Sequence, residues 1–297
     1  GDFKQSIASI HDVSTIMLNN IGFGKSNAAK GVLDTHATGD NFTGTVEKDD
    51  GNGTGNKVTS REQIKIGYRA NSATVNENYD WVQTARAHGA TIVTNARVSA
   101  ISQTATGWQV IAGGETYTAT TLINAAGAWA DPIAQMAGVA PLGITPYRRS
   151  MARIPAPGGH DVSRWPFMDG VNESWYAKPD AGALLVSPAD EDLAEPHDAW
   201  ADDMTLAEGI ASFDELTTTP TTRLLSNWAG LRSFAPDRTL VIGRDTAQPG
   251  FVWLAGQGGY GFQTAPAASQ LVSELVLERS PGLDAVTVAA LSPARFT

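Results

Sequence analysis

GFVWLAGQGGYGFQTAPAASQLVSEL, residues 250–275, joins an aromatic and β-branched strand, a glycine cluster and the start of an amphipathic helix in direct succession. Gly256, Gly258 and Gly261 fit the spacing G-x-G-x-x-G. Glycines let a backbone approach a ligand closely, and the free N–H groups of a helix start favour an anionic or electron-rich group. No βαβ unit follows, so a purely structural glycine turn stays open as an alternative to a ligand site.

A second turn of small residues, LINAAGAWAD at 122–131, also lies between a strand and a helix. Ala126 and Gly127 leave the backbone there open to a flat cofactor or to another backbone. Tight packing of the strand on the helix would require the same small residues. The turn is therefore compatible with a cofactor site and does not by itself predict one.

The chain after residue 73 alternates strand and helix patterns. VNENYDWVQTARAHG (75–89) and MTLAEGIASFDEL (204–216) have the spacing of helices, and ETYTATTLINAAG (115–127) predicts one buried strand. ITPYRRSMARIP (144–155) and SWYAKPD (174–180) predict strands of a second sheet. We therefore expect an α/β (α+β) layered fold with a second sheet that is mixed or antiparallel.

A change in composition near residue 70 divides the chain. Every lysine except Lys178 precedes this point and every tryptophan follows it, while the stretch EKDDGNGTGNK at 47–57 has the composition of a flexible loop. We predict an atypical segment over residues 1–72, a ligand-binding portion formed by 73–143 and 223–297, and a substrate-binding portion over 144–222.

Three arginines lie in apolar surroundings. Arg148 and Arg149 interrupt an apolar strand, so that the period of two directs them to opposite faces, and Arg232 lies within WAGLRSF. A guanidinium that faces a core keeps its charge and needs an anion. That anion is either an internal Asp or Glu or the carboxylate of a ligand, and the sequence leaves both open.

The overall composition restricts the kinds of molecule that this protein can bind. The chain has no cysteine, which excludes disulfides, thiolate metal sites and a flavin attached through sulfur. A net charge of -10 disfavours nucleic acid and anionic membrane surfaces. No apolar run is long enough to span a membrane, and no metal-ligand spacing occurs among the histidines. We predict a cytoplasmic protein that binds a small molecule, not nucleic acid, a metal or the membrane interior.

Taken in order, NAAGAWAD, PYRRS, SWYAKPDAG, LLVSPAD, NWAGLRSF and GQGGYGFQT resemble the D-amino-acid oxidase superfamily of flavoenzymes. Within that superfamily the sequence is most similar to the bacterial D-arginine and D-amino-acid dehydrogenases, over about residues 73–297. The resemblance implies a fold of the FAD/NAD(P)-binding type, with 73–143 and 223–297 as its flavin-binding portion and 144–222 as its substrate-binding portion. It implies FAD as cofactor and an amino acid, with a D-amino acid expected, as substrate. It implies oxidation of the Cα–N bond by hydride transfer to flavin N5, which gives an imino acid that hydrolyses to a 2-oxo acid and ammonia. The electron acceptor is not predicted.

The resemblance also implies roles for individual residues. Arg149 and Arg232 would bind the substrate carboxylate with Tyr176, and Tyr260 and Gln263 would border the reaction site. A further set would lie against FAD: Val98, Ala126, Gly127, Gly230, Gly258, Gly259, Gly261 and again Gln263.

The sequence departs from the family at its beginning, where members carry a strand, G-x-G-x-x-G, a helix and an acidic residue that hold the ADP part of FAD. This Rossmann unit is missing or highly divergent in residues 1–72. The alternative is therefore a non-catalytic or incomplete relative, a scaffold or subunit without tightly bound flavin. Nucleotide binding at NNIGFGKSN (19–27) is a third and weaker possibility.

Overall fold

The computed structural model describes residues 85–86, 88–218 and 220–296, together with the backbone of four strands before residue 85. The strands are β1 Lys4–Ile10, β2 Thr15–Ile21, β3 Val46–Glu47, β4 Lys57–Val58, β5 Thr91–Val93, β6 Val98–Thr104, β7 Gly107–Ala112, β8 Glu115–Ala119, β9 Thr121–Ala125, β10 Thr145–Pro155, β11 Met168–Asp169, β12 Tyr176–Asp180, β13 Ala183–Ser187, β14 Asp192–Leu193, β15 Ser226–Phe234, β16 Val241–Arg244 and β17 Phe251–Ala255. The helices are α1 Ala130–Met136, α2 Asp203–Glu215, α3 Gly261–Val276 and α4 Ala285–Leu291.

A mixed sheet forms the first layer of the fold, with strand order β16-β17-β9-β2-β1-β5. Its centre is parallel, because β9 runs parallel to both β17 and β2, whereas β16 and β1 pair antiparallel with their neighbours. Successive residues of β17 point to opposite faces of this sheet. Val252 packs with Leu271 of α3 on one face, and Trp253 joins the larger core on the other face.

The larger core lies between the mixed sheet and the three-stranded sheet β6-β7-β8. Trp108 of β7 meets the edge of Phe251 at 5.8 Å between ring centroids, and its indole N–H donates to the Gly250 carbonyl at 3.0 Å. Both rings are almost completely buried. Burial of side chains this large stabilises by several kcal/mol, on the order of 2–3 kcal/mol each. This core fixes the end of β17 from which the glycine turn starts.

A second, antiparallel sheet has the order β11-β12-β13-β10-β14, and β15 pairs along the opposite edge of β10. One face of this sheet packs on α2. Phe213 of α2 meets Trp175 edge-on at 5.1 Å, within a cluster that includes Ile154 and Ala177. Residues that alternate with these on β10 and β12 consequently lie on the other face of the sheet.

The observed architecture confirms the α/β layered fold with an antiparallel second sheet. The single strand predicted over 115–127 is wrong: β8 and β9 are separate strands of different sheets, divided at Thr120. β8 pairs with β7, whereas β9 pairs with β17 and β2. The end of β8 approaches β7 so closely that a Cβ at Gly107 would lie 2.1 Å from the Ala119 carbonyl oxygen. The helix predicted over 75–89 falls largely outside the described residues.

The proposed division into portions stays a prediction, and two observations bear on where its edges lie. β15, placed by sequence in the 223–297 portion, pairs with β10 of the second sheet along nine residues. β2 lies parallel to β9 at the centre of the mixed sheet. The glycines that follow β2 in sequence, Gly22 and Gly24, lie outside the described residues, as does most of the 1–72 segment.

Candidate functional site

Three strands of the second sheet carry the polar groups of the candidate site. The register pairs Arg149 of β10 with Gly230 of β15, and Tyr147 with Arg232. Ile154 and Ala177 face α2, so the period of two places Arg149 and Tyr176 on the opposite face of the sheet. The sequence brings these side chains together because each strand alternates apolar residues for α2 with polar residues for this second face.

Tyr176 contacts both arginines. An Arg232 Nη2–H donates to the Tyr176 hydroxyl at 3.4 Å, and the Arg149 guanidinium carbon lies 5.9 Å from the centre of the Tyr176 ring. Arg149 Nη2 also lies 3.7 Å from Glu191 Oε1, beyond hydrogen-bond distance. We call Arg149, Arg232 and Tyr176 the arginine–tyrosine cluster.

Among the described residues, neither arginine of the cluster has a carboxylate within hydrogen-bond distance, although Arg149 forms a long ion pair with Glu191 at 3.7 Å. Within the described part of the chain, Arg232 has no carboxylate within 4.0 Å, and the buried Arg149 Nε has no hydrogen-bond partner. Burial lowers the pKa of the Arg232 guanidinium, and the charge of Arg149 acts in the same direction, while Tyr176 opposes both. The guanidinium stays protonated at neutral pH all the same, so the cluster keeps two positive charges with donors to spare.

Arg148, the neighbour on the same strand, provides the contrast. Its guanidinium lies on the opposite face, where Nε is 3.3 Å from Asp190 Oδ2 and Nη2 pairs with Asp192. Asp190 also accepts from the Ser150 backbone N–H at 2.6 Å and so holds this pair in place. Of the internal ion pairs that the sequence left open, Arg148 therefore forms two close ones and Arg149 forms a longer one with Glu191. Arg232 has no carboxylate within 4.0 Å among the described residues, so Arg149 and Arg232 retain donors for a ligand.

The glycine turn between β17 and α3 lies beside the cluster. The Gly258 N–H donates to the Ser233 carbonyl of β15 at 2.8 Å, and a Cβ at Gly259 would lie 3.1 Å from Arg232 Nη1. α3 begins at Gly261 with no side-chain cap and no acidic residue in its first turn. Tyr260 and Gln263 are exposed at this helix start. The backbone N–H groups of the first turn are thus available to an electron-rich group.

Gly258 is the position of the turn that most strictly requires glycine. Its φ is +52°, and an added Cβ would lie 2.4 Å from the Phe234 ring. We expect Gly258→Ala to lower the free energy of unfolding by about 3 kcal/mol. Alanine would be strained in the left-handed backbone conformation, and its Cβ would displace the Phe234 ring.

Chemical denaturation of this variant checks that expectation, with Gly230→Ala as its control. Gly230 is not in the left-handed region, and a Cβ there would meet nothing within 4 Å. The same substitution should leave stability unchanged at Gly230 or raise it by up to about 1 kcal/mol. Equal effects at the two positions would show that the turn is not constrained as described.

The residues expected to lie against a cofactor occupy different environments. Gly230 is exposed next to Arg149, and Gly127 has a φ of +57° with open space where a Cβ would be. The 3₁₀ turn Gly127–Trp129 lies against β15, so this open backbone and Gly230 belong to neighbouring elements. The Val98 and Ala126 side chains are buried in the large core, which leaves only their backbones to meet a ligand.

Two residues that the sequence reasoning missed also contact the cluster. The Phe167 ring stacks on Tyr176 at 5.5 Å with 22° between the planes, and Glu191 approaches Arg149. The signal for Glu191 was the acidic run at 190–192, directly after the β13 strand in LLVSPAD. Phe167 had no signal, since it directly precedes β11, which is only two residues long and too short for a strand pattern in the sequence.

An open, glycine-lined backbone thus lies beside two guanidinium groups with spare donors, an arrangement that can accept a flat, electron-rich group and an anion. A family model described as FAD dependent oxidoreductase (DAO) matches residues 79–275, more than half of the chain. The chain therefore belongs to this family of flavin-dependent enzymes. Its family was correctly identified from the motifs of its sequence.

The chain is also similar to individual members. It is 23% identical to FAD-dependent oxidoreductase domain-containing protein 1 of Xenopus laevis over 197 residues, 59% of this chain and 38% of that protein. L-proline dehydrogenase from P. horikoshii shares its fold with a TM-score of 0.61 and 22% identity, over 73% of this chain and 58% of the other. Glycine oxidase from Geobacillus kaustophilus does so with a TM-score of 0.55 and 20% identity, over 67% and 52%.

These similarities have a limited extent. The chain spans 38% to 40% of the length of two of the curated relatives that it matches. At identities below 25%, the solved structures establish the fold and not the substrate. Among the described residues, no helix has the length and apolar character needed to cross a membrane.

Proposed function

We propose that this chain is the substrate-binding part of an FAD-dependent oxidoreductase that oxidises the Cα–N bond of an amino acid. One observation carries the proposal: Arg149 and Arg232 have spare donors, contact the same tyrosine and lie beside a glycine-lined helix start. Two of the similar solved structures are named as a glycine oxidase and an L-proline dehydrogenase, which supports an amino acid as substrate. The D configuration and a cytoplasmic location stay predictions.

In this proposal the arginine–tyrosine cluster binds and orients the substrate carboxylate. A carboxylate accepts charge-assisted hydrogen bonds from two guanidinium groups, and the Tyr176 hydroxyl, which already accepts from Arg232, can donate to the same ligand. Fixing the carboxylate fixes the position of Cα and its hydrogen. Because the cluster is partly buried, these bonds form in a medium that screens them less than bulk water.

The residues present fit a flavin. A side chain at Gly230 or Gly127 would occupy space that is now open, and Gly259 lets the turn approach Arg232. When bound, FAD would supply a two-electron acceptor that takes the Cα hydride at N5, leaving an imino acid for hydrolysis to a 2-oxo acid and ammonia. Gly258, Gly259, Gly261 and Gln263 would hold the flavin at the α3 start, whose N–H groups favour negative charge.

The test of this proposal is a spectrum of the purified chain. After addition of FAD and desalting, flavin absorption bands should remain with the protein, and anaerobic addition of an amino acid should bleach them. Glycine, D-alanine, L-alanine and L-proline should be compared, because the configuration is itself a prediction. A protein that stays colourless would instead support the alternative of a scaffold or subunit without tightly bound flavin.

A further inference from the structure

Among the described residues, Glu191 is the carboxylate that approaches the arginine–tyrosine cluster. It lies closer to Arg238, which is outside the cluster, than to Arg149. Its Oε1 accepts from Arg238 Nη2 at 2.6 Å, compared with 3.7 Å to Arg149 Nη2. The Arg238 guanidinium in turn lies over the Phe234 ring, 4.0 Å from its centroid. Glu191 therefore has an anchor that does not depend on Arg149, and it can remain in place when a ligand binds to Arg149.

The charge of Glu191 changes which ligands the cluster can favour. Arg149 and Arg232 alone would attract any carboxylate and would repel an ammonium group bonded to the adjacent carbon. A fixed negative charge next to Arg149 has the opposite effect on both ligand groups. It repels a bare carboxylate and attracts the ammonium of an amino acid. The side chain of Glu191 is about one-third exposed and its carboxylate is paired with Arg238, so solvent and the Arg238 charge both reduce this effect. Replacing Glu191 alone still removes one negative charge from beside Arg149.

We infer that Glu191 is a specificity-determining residue that makes the cluster favour amino acids over simple carboxylic acids and hydroxy acids. The inference rests on the proposed function and names its substrate class by charge: a carboxylate with a cationic amine on the neighbouring carbon. Arg238 and Phe234 act through Glu191 as positioning residues, because they hold its carboxylate beside Arg149.

Three small achiral ligands test the inference: glycine, acetate, which lacks the amine, and glycolate, which carries a hydroxyl in its place. Dissociation constants are measured by titration of the full chain in the presence of excess FAD, for the unmodified protein and for Glu191→Gln. We expect acetate and glycolate to bind about tenfold more tightly to the variant, because a repulsive charge is removed. Glycine binding should stay unchanged or weaken, so that selectivity for glycine over acetate falls about tenfold.

Asp192→Asn is the matched control. It removes the same charge at the next residue, but Asp192 pairs with Arg148, whose guanidinium lies on the face opposite to Arg149. Selectivity should therefore stay as in the unmodified chain. A thermal melt of both variants verifies that they are folded.

Two results would overturn the inference: an equal change for all three ligands in Glu191→Gln, or no change for any. A parallel titration of Arg232→Met separates this failure from failure of the proposed function. If that substitution abolishes binding of glycine and acetate, the cluster is the carboxylate site and only the role of Glu191 is wrong. If it alters neither, or if the unmodified chain binds none of the three ligands, the proposed function and the inference both fail.

Discussion

Arg232→Met should raise the dissociation constant for an amino-acid carboxylate about a hundredfold or more while FAD retention stays unchanged. Removing one partner of a desolvated charge pair costs about 2–5 kcal/mol, and the middle of this range corresponds to a loss of a few hundredfold. Arg232 has no acidic partner within 4.0 Å in the described part of the chain, so its removal leaves no internal carboxylate unpaired. Burial already lowers the pKa of the guanidinium, and loss of that charge should not destabilise the fold.

Titration with the amino acid measures its dissociation constant, and the flavin spectrum after desalting measures how much FAD the protein retains. Arg164→Met is a suitable control, since Arg164 is exposed and should tolerate the same change without effect on binding. Unaltered carboxylate affinity in Arg232→Met would remove the cluster from the proposed site.

Gly230→Leu should abolish retention of FAD and leave the chain folded. Gly230 lies in the middle of β15 with nothing within 4 Å of an added Cβ, so the larger side chain meets no protein atom at its base. It would instead fill the open space beside Arg149, the strand partner of Gly230. If the clash with the flavin costs as much as overpacking of a core, about 1–3 kcal/mol, FAD affinity falls about fivefold to 150-fold, enough for FAD to be lost on desalting.

Two further variants isolate this effect from general damage to the strand. Gly230→Ala should retain FAD better than Gly230→Leu because it adds one methyl group. Ser226→Leu places the same leucine four residues earlier, on the same face of β15. Full retention of FAD by Gly230→Leu, measured by absorbance after desalting, would show that the flavin does not use this space.

The sequence could predict the elements of the site because their signals are local. Arg149 stands on an apolar strand where the period of two separates it from Arg148, and the structure pairs Arg148 internally while leaving Arg149 with spare donors. The glycine turn follows directly after β17 and begins α3, as the pattern of residues 250–275 predicts. Alternation and strand-to-helix succession need no knowledge of distant contacts.

Features that depend on distant pairing could not be predicted. The meeting of Arg232 with Tyr176 requires β15 to pair with β10, and β12 with β13. Nothing near either residue specifies that register. β9 likewise leaves the sheet of β8 because it pairs with β17 and β2, which are distant in sequence. The place of Glu191 beside Arg149 follows the long-range pairing of β10 with β14.

The most direct test is a crystal structure of the chain with FAD and glycine. The account predicts both carboxylate oxygens within about 3 Å of guanidinium nitrogens, with Arg149 and Arg232 each contributing, and the isoalloxazine ring against Gly230 and the start of α3. A ligand bound away from these two arginines, or a flavin that leaves Gly230 and the glycine turn uncovered, would contradict it.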